Sequence, residues 1–76
     1  MKTTRYFEEV VLIKRPYIKR EWCEKALKEH IRSEVQDEGR VRYWIFIQDI
    51  GKYLRVVTLK DGETVHNAFP DRNFKE

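Results

Sequence analysis

The sequence predicts an α+β domain in which one amphipathic helix packs against an antiparallel sheet. Two patterns support this class. Apolar side chains recur at helical spacing in residues 18–30, and from residue 32 onward the apolar period changes to two. Three short turns, each with a glycine, divide this second half into four strands. The predicted element order is β-α-β-β-β-β, in a single domain that covers residues 1–76.

The first predicted element is a strand over residues 6–13, where aromatic and β-branched side chains are frequent. Pro16 ends this strand and introduces a turn. The helix follows at residues 18–30, and its apolar stripe contains Trp22, Cys23, Ala26 and Leu27. The later strands are predicted at residues 33–37, 41–48, 53–60 and 63–69.

The lengths of the turns predict how the strands pair. One three-residue turn and two two-residue turns give the pairs Val35–Val41, Ile47–Leu54, Thr58–Val65 and Val57–His66. In this register one sheet face is apolar and should pack against the helix. Its predicted members are Val35, Val41, Tyr43, Ile45, Ile47, Leu54, Val56, Val65 and Phe69.

The sheet face turned away from the helix, called the second face below, is predicted to be aromatic and basic. Its predicted members are Glu34, Arg42, Trp44, Phe46, Tyr53, Arg55, Val57 and His66. One helix cannot cover both faces of a sheet, so we expect the second face to be at least partly open. Aromatic rings offer stacking surfaces and arginines offer phosphate contacts, which together are typical of RNA binding. Two alternatives remain: a protein or homodimer interface, and a strand buried on both faces.

Single residues of this surface have alternative roles. His66 could transfer a proton near neutral pH, or be an ordinary exposed histidine. Arg55, expected one strand away from His66, could stabilise charge on a phosphate or stack on Trp44 or Tyr53. Arg42 is expected to pair with Glu34 across the strands.

Basic residues outside the sheet are further candidates. Arg72 could be catalytic, or could form an ion pair with Asp71 or Glu76. The basic cluster before the helix, which could contact RNA phosphates or simply be solvated, contains Lys14, Arg15 and Lys19. The net charge is +3, and the positive excess lies in residues 1–30.

Length and composition exclude several classes of function. A chain of 76 residues cannot enclose a large pocket or a dinucleotide-binding domain. Its single cysteine cannot form an internal disulfide, which favours a reducing, cytoplasmic location. One cysteine and two distant histidines give no metal-ligand pattern. No apolar run approaches 18 residues and the first residues lack the apolar core of a signal peptide, so we expect no membrane partner.

The element order and the segment GRVRYWIFIQDIGKYLRVVTLKDGETVHNAFPDRNF resemble the RelE/BrnT-like superfamily of small toxins, and more narrowly a small prokaryotic family near the BrnT-like toxins. The resemblance covers residues 6–74. Members of the superfamily are endoribonucleases of toxin–antitoxin pairs and usually carry a helical hairpin, where the pattern here predicts one helix.

The resemblance implies RNA cleavage without a metal or other cofactor. A ribose 2′-hydroxyl attacks the adjacent phosphate, and a small antitoxin protein covers the site. The positions that match the family's basic residues are Arg55, which would hold the phosphate, His66, which would transfer a proton, and Arg72, which would stabilise the transition state. The expected RNA-binding residues are Arg42, Trp44, Phe46, Tyr53, Lys14, Arg15 and Lys19. The alternative is a non-catalytic module that binds RNA, a protein or a second copy of itself.

Overall fold

The computed structural model describes residues 1–76, which form two helices followed by a four-stranded antiparallel sheet. Helix α1 covers residues 5–14, with a π-helical turn at Phe7–Val11 and an α-helical end at Leu12–Lys14. Helix α2 is Arg20–Glu29. The strands are β1 (Arg32–Val35), β2 (Val41–Ile47), β3 (Lys52–Thr58) and β4 (Val65–Pro70), in the order β1-β2-β3-β4. The predicted α+β class, the helix and the four-strand meander are confirmed.

The predicted leading strand at residues 6–13 is wrong, because this segment is helix α1. Thr4 caps the helix, since its Oγ1 accepts a hydrogen bond from the backbone N–H of Phe7 at 3.1 Å. Phe7 and Val11 then lie on one side and are fully buried, whereas Ile13 is 73% exposed. The burial of this pair outweighs the strand preference of the β-branched side chains.

A short extended segment before α1 joins the sheet at the β4 edge. The backbone N–H of Val65 donates to the carbonyl of Lys2 at 2.9 Å, and Thr4 N–H donates to the carbonyl of Val65 at 3.1 Å. These bonds pair Thr3 with Val65 in parallel orientation. The contact fixes where α1 begins and partly covers an otherwise exposed strand edge.

The two helices cover the same face of the sheet and form one core with it. Helix α1 contacts β4, and helix α2 contacts β2 and β3. The core consists of Phe7, Val11, Ile18, Trp22, Cys23, Ala26, Ile45, Ile47, Leu54, Val56, Val65 and Ala68, with Leu27 and Tyr43 packed against it. Val35, a predicted core residue, is 74% exposed because neither helix reaches the β1 edge.

The predicted strand registers are confirmed at two turns and wrong at two places. The Val35–Val41 and Thr58–Val65 pairs are present. Ile47 pairs with Lys52 rather than with Leu54, because the turn between β2 and β3 contains four residues instead of two. A shift of two residues keeps every side chain on its predicted face, since the side-chain period of a strand is two.

A β-bulge in β4 reverses the faces of the residues that follow it. The register shifts between Val57 and Thr58, so Val57 pairs with Asn67 and not, as predicted, with His66. His66 is the extra residue of the bulge. Beyond it, Ala68 faces the core and Phe69 pairs with Arg55 on the second face. The prediction that Phe69 belongs to the core face is therefore wrong.

Substitutions in α1 test this arrangement. Replacing Phe7 by Ala should lower the free energy of unfolding by about 3–5 kcal/mol, because it removes a fully buried ring. Replacing Ile13 by Ala should change it by less than about 0.5 kcal/mol, because this side chain points to solvent. A strand would place both residues on one face, so equal losses in chemical denaturation would contradict the helix.

Candidate nucleic-acid interface

A row of alternating cations and aromatic rings crosses the second face. The strand registers place Arg32, Trp44, Arg55 and Phe69 side by side on β1, β2, β3 and β4. The Arg55 guanidinium lies 5.5 Å from the centre of the Trp44 ring and 5.0 Å from that of Phe69. We call these four residues the cation–aromatic row. Of the two roles considered for Arg55, the structure contains the contact with Trp44.

Arg15 extends this row beyond the edge of the sheet. It follows the end of α1, and its guanidinium lies 5.7 Å from the centre of the Phe69 ring. The other two members of the predicted basic cluster lie elsewhere. Lys14 is exposed at the end of α1, and Lys19 lies 3.9 Å from Asp49, which follows β2. Of the cluster, the structure thus brings only Arg15 to the second face.

Asp71 joins two members of the row through one oxygen atom. Its Oδ2 accepts hydrogen bonds from Trp44 Nε1 at 2.9 Å and from Arg55 Nε and Nη2 at 3.1 and 2.8 Å. Burial alone would raise the pKa of Asp71, but the hydrogen bonds from Trp44 and Arg55 outweigh burial and lower this pKa. Asp71 is therefore ionised at neutral pH and neutralises much of the Arg55 charge. Arg55 Nη1 makes no hydrogen bond within the chain.

The segment after Asp71 covers part of the second face. The Phe74 ring stacks on Trp44 at 5.1 Å with an angle of 20°, and lies 4.9 Å from the Tyr53 ring. The Arg32 guanidinium also lies over Phe74, 5.2 Å from the centre of its ring. Trp44 is only 4% exposed as a result. The second face is thus partly open, as predicted, but its central ring is closed off by the chain itself.

His66 lies at the β4 edge rather than in the row. Its Nδ1 is 3.0 Å from Thr4 Oγ1, and its ring stacks on Tyr6 at 4.9 Å. Burial and the nearby positive charge of Arg40 lower the pKa of His66, so the ring is neutral at pH 7. Its Nε2 has no hydrogen-bond partner in the chain. When the ring carries its hydrogen on Nδ1 and donates it to Thr4 Oγ1, Nε2 is free to accept a proton.

The three predicted catalytic residues are not brought together. Phe69, and not His66, lies opposite Arg55. Arg72 is exposed past the end of β4, makes neither of its predicted ion pairs with Asp71 and Glu76, and contacts neither Arg55 nor His66. His66 and Pro70 alone are about 13 Å apart along the strand. An RNA strand that contacted both His66 and Arg72 would have to lie along β4.

The remaining predicted contact residues, Phe46 and Arg42, lie towards opposite ends of strand β2. Phe46 is 46% exposed and packs edge-on against Tyr53 at 5.1 Å. Arg42 lies opposite Glu34 but does not form the predicted ion pair with it. Its Nε donates instead to the side-chain oxygen of Gln36 at 2.9 Å, in the amide orientation that satisfies both groups.

Several members of the interface were missed by the sequence interpretation. Phe69 was assigned to the other face because a bulge leaves no clear mark in the strand pattern. Arg32 lies one residue before the strand predicted at residues 33–37 and was not assigned to the second face, although it continues the alternation of β1. Phe74 and Arg40 reach their positions through turns, and no local pattern predicts those contacts.

Cys23 is buried, and burial raises the pKa of its thiol to about 12, which leaves it unreactive.

Comparisons with known proteins give no family for the chain. No protein-family model, no curated protein and no solved structure gives a significant match. Neither helix has the length or the apolar character needed to cross a membrane. The structure contains no group of three or more histidine, cysteine, aspartate or glutamate side chains that could hold a metal ion. The geometry of the second face and of the β4 edge therefore carries the functional argument.

Removing the Asp71 carboxylate should destabilise the protein by about 1–3 kcal/mol in chemical denaturation, because Asp71→Ala leaves the Trp44 N–H without an acceptor. Asp49→Ala is the control, since Asp49 is exposed and should change stability by less than about 0.5 kcal/mol.

The pKa of Asp71 is lowered by folding, so its contribution is present above about pH 4 and lost on acidification. A difference between wild type and Asp71→Ala that grows below pH 4 would contradict this account.

Proposed function

We propose that this protein is a metal-independent endoribonuclease of the RelE/BrnT-like toxin type, acting in the cytoplasm and neutralised by a small antitoxin protein. The observation that carries the proposal is the cation–aromatic row on a sheet face that the helices leave uncovered. Alternating rings and guanidinium groups suit single-stranded RNA, because bases stack on the rings while phosphates contact the cations. The row does not contribute to packing against the helices, because the helices lie on the other face.

The helical part of the fold adds support. Members of the RelE/BrnT-like superfamily usually carry a helical hairpin, and the sequence pattern predicted only one helix. The chain has two helices before its four-stranded meander, both packed on the same sheet face. The second helix removes one difference from the superfamily, whereas the leading strand on which the resemblance also rested is reduced to the single Thr3–Val65 bridge. Shared architecture alone does not define an activity, so the proposal depends on the residues of the second face.

His66 is the residue proposed to act on the scissile bond. Its neutral ring accepts the proton of a ribose 2′-hydroxyl at Nε2, and the 2′-oxygen then bonds to the adjacent phosphorus. The bond from phosphorus to the 5′-oxygen breaks, and that oxygen takes a proton from water. The products are a 2′,3′-cyclic phosphate and a 5′-hydroxyl. The positive charge of Arg40, which already lowers the pKa of His66, stabilises the phosphorane that forms between these steps.

Arg55 and Arg72 are proposed to bind phosphates further along the RNA strand. Arg72 is exposed and makes no ion pair, so it can contact a phosphate without losing an existing partner. Arg55 is largely neutralised by Asp71, but its Nη1 remains free to donate to RNA. This assigns positioning roles to the two arginines, because neither lies beside His66.

Expression in a bacterial host tests the proposal. Inducing the wild-type chain should arrest growth and fragment total RNA. His66→Ala should abolish both effects, because a positioned proton acceptor is worth roughly 10²–10⁴ in rate. Lys25→Ala, on the exposed side of α2, should behave as wild type. Arg55→Ala is a poor test, since it leaves the Asp71 carboxylate buried without its cation. Normal growth with intact RNA from soluble, folded wild-type protein would contradict the proposal.

A non-catalytic interaction module is the second candidate, and one observation favours it. Phe46 projects from the second face with 46% of its surface exposed, next to Tyr53. Exposed aromatic side chains of this size are frequent at protein interfaces. Trp44 does not project from the face in the same way, because the Phe74 ring stacks on it and its N–H donates to Asp71.

Sedimentation analysis of two variants tests this module. If the chain associates through the second face, Phe46→Ala should shift a dimer to a monomer and weaken association by about tenfold or more. Tyr17→Ala is a matched control, because Tyr17 is 47% exposed and lies between the helices. A monomeric wild-type chain, or equal effects of the two substitutions, would exclude Phe46 as the centre of a homodimer interface.

A further inference from the structure

Apart from the backbone bond from the Phe74 N–H to the carbonyl of Asp71 at 3.5 Å, the contacts of residues 74–76 are made with groups that could bind a nucleotide. The Phe74 ring stacks on Trp44, with Tyr53 at its side. The Glu76 carboxylate accepts a hydrogen bond from Tyr53 Oη at 2.6 Å. The carbonyl of Lys75 accepts one from Arg32 Nη1 at 3.4 Å. The segment thus presents one flat ring and two oxygen acceptors, which are the groups that a nucleotide presents as its base and its phosphate.

Both contacts of the Arg32 guanidinium are made with this segment. Its guanidinium lies over Phe74 and donates to the carbonyl of Lys75. If residues 74–76 leave the face, Arg32 loses both contacts and becomes free to bind a phosphate beside the uncovered Trp44 ring. The same departure frees Tyr53, so a stacking platform and a cation become available together.

The segment is attached in a way that lets it leave without unfolding the domain. Asp71 stays anchored by Trp44 and Arg55, and its Oδ1 accepts a hydrogen bond from the backbone N–H of Asn73 at 3.0 Å. Beyond this turn the segment has one ring stack, one tilted ring contact, the Arg32 guanidinium over Phe74, two hydrogen bonds to side chains and one long backbone bond from Phe74 to Asp71, and its outer residues are exposed. None of the core residues takes part in these contacts.

We propose that residues 74–76 occupy a nucleotide subsite formed by Trp44, Tyr53 and Arg32, and that single-stranded RNA must displace them to bind there. The inference deepens the proposed ribonuclease function by assigning an autoinhibitory role to residues 74–76. It requires only binding, so it stands or falls separately from RNA cleavage. The apparent affinity for RNA is reduced by the fraction of molecules in which the segment is docked.

The test measures binding of an oligonucleotide that the proposed reaction cannot cleave. A fluorescent, single-stranded 2′-O-methyl RNA of about eight nucleotides lacks the attacking hydroxyl, so loss of catalysis does not affect the result. Anisotropy titrations compare the wild-type chain, a chain ending at Asn73, and Phe74→Ala. If the segment is docked about nine-tenths of the time, both variants should bind about tenfold more tightly than wild type.

Two controls separate stacking from charge. Lys75→Ala changes the charge of the segment but keeps the ring, so it should not tighten binding. Tyr53→Ala introduced into the shortened chain should remove most of the gain. The Trp44 indole N–H resonance should also shift when the oligonucleotide is added, because that ring becomes the base platform.

Three results would overturn the inference. The first is equal binding by wild type, the shortened chain and Phe74→Ala. The second is an equal gain for the duplex form of the oligonucleotide, since paired bases cannot stack on Trp44. The third is self-association of the shortened chain without oligonucleotide binding, which would make the uncovered face a protein interface. If the shortened chain does not fold, saturating oligonucleotide must still shift the Phe74 ring resonances of the wild-type chain, and unchanged resonances would overturn it equally.

Discussion

The hydrogen bonds that converge on Asp71 determine how the second face of the sheet is organised. The domain has two helices, and both pack on the same face of the sheet. The other face has to bury Trp44 and Val57 without a further layer of structure. Asp71 accepts hydrogen bonds from Trp44 and Arg55, and these bonds hold the chain folded back over the sheet. This anchor neutralises much of the charge of Arg55. It also sets the position of Phe74 and leaves Arg72 exposed.

Some of this arrangement could be predicted from the sequence and some could not. The period of two after residue 32 and the glycine turns predicted the meander, and the even-numbered shift at the β2–β3 turn left the faces of Trp44, Phe46 and Arg55 unchanged. The segment at residues 6–13 was misassigned because its β-branched side chains also fit a helix once Phe7 and Val11 are buried. That choice depends on long-range packing, which local propensity does not contain.

The candidate site was less predictable than the fold, for a physical reason. A one-residue bulge moved Phe69 to the second face and left His66 outside the regular pairing of β4, three residues along the strand from the residue opposite Arg55. The result is an extended surface rather than a compact catalytic cluster. One end holds His66 with Thr4, Tyr6 and the charge of Arg40, and the other holds the cation–aromatic row. An extended surface suits a polymer substrate better than a small molecule.

The chemistry of RNA ends tests the central claim most directly. Purified wild-type protein is incubated with a labelled single-stranded RNA in the presence of a metal chelator, and the ends of the fragments are identified by mass spectrometry. Attack by the 2′-hydroxyl predicts fragments with 2′,3′-cyclic phosphate and 5′-hydroxyl ends, formed by the wild type and not by His66→Ala. Uncleaved RNA, or fragments with 5′-phosphate ends, would contradict the account.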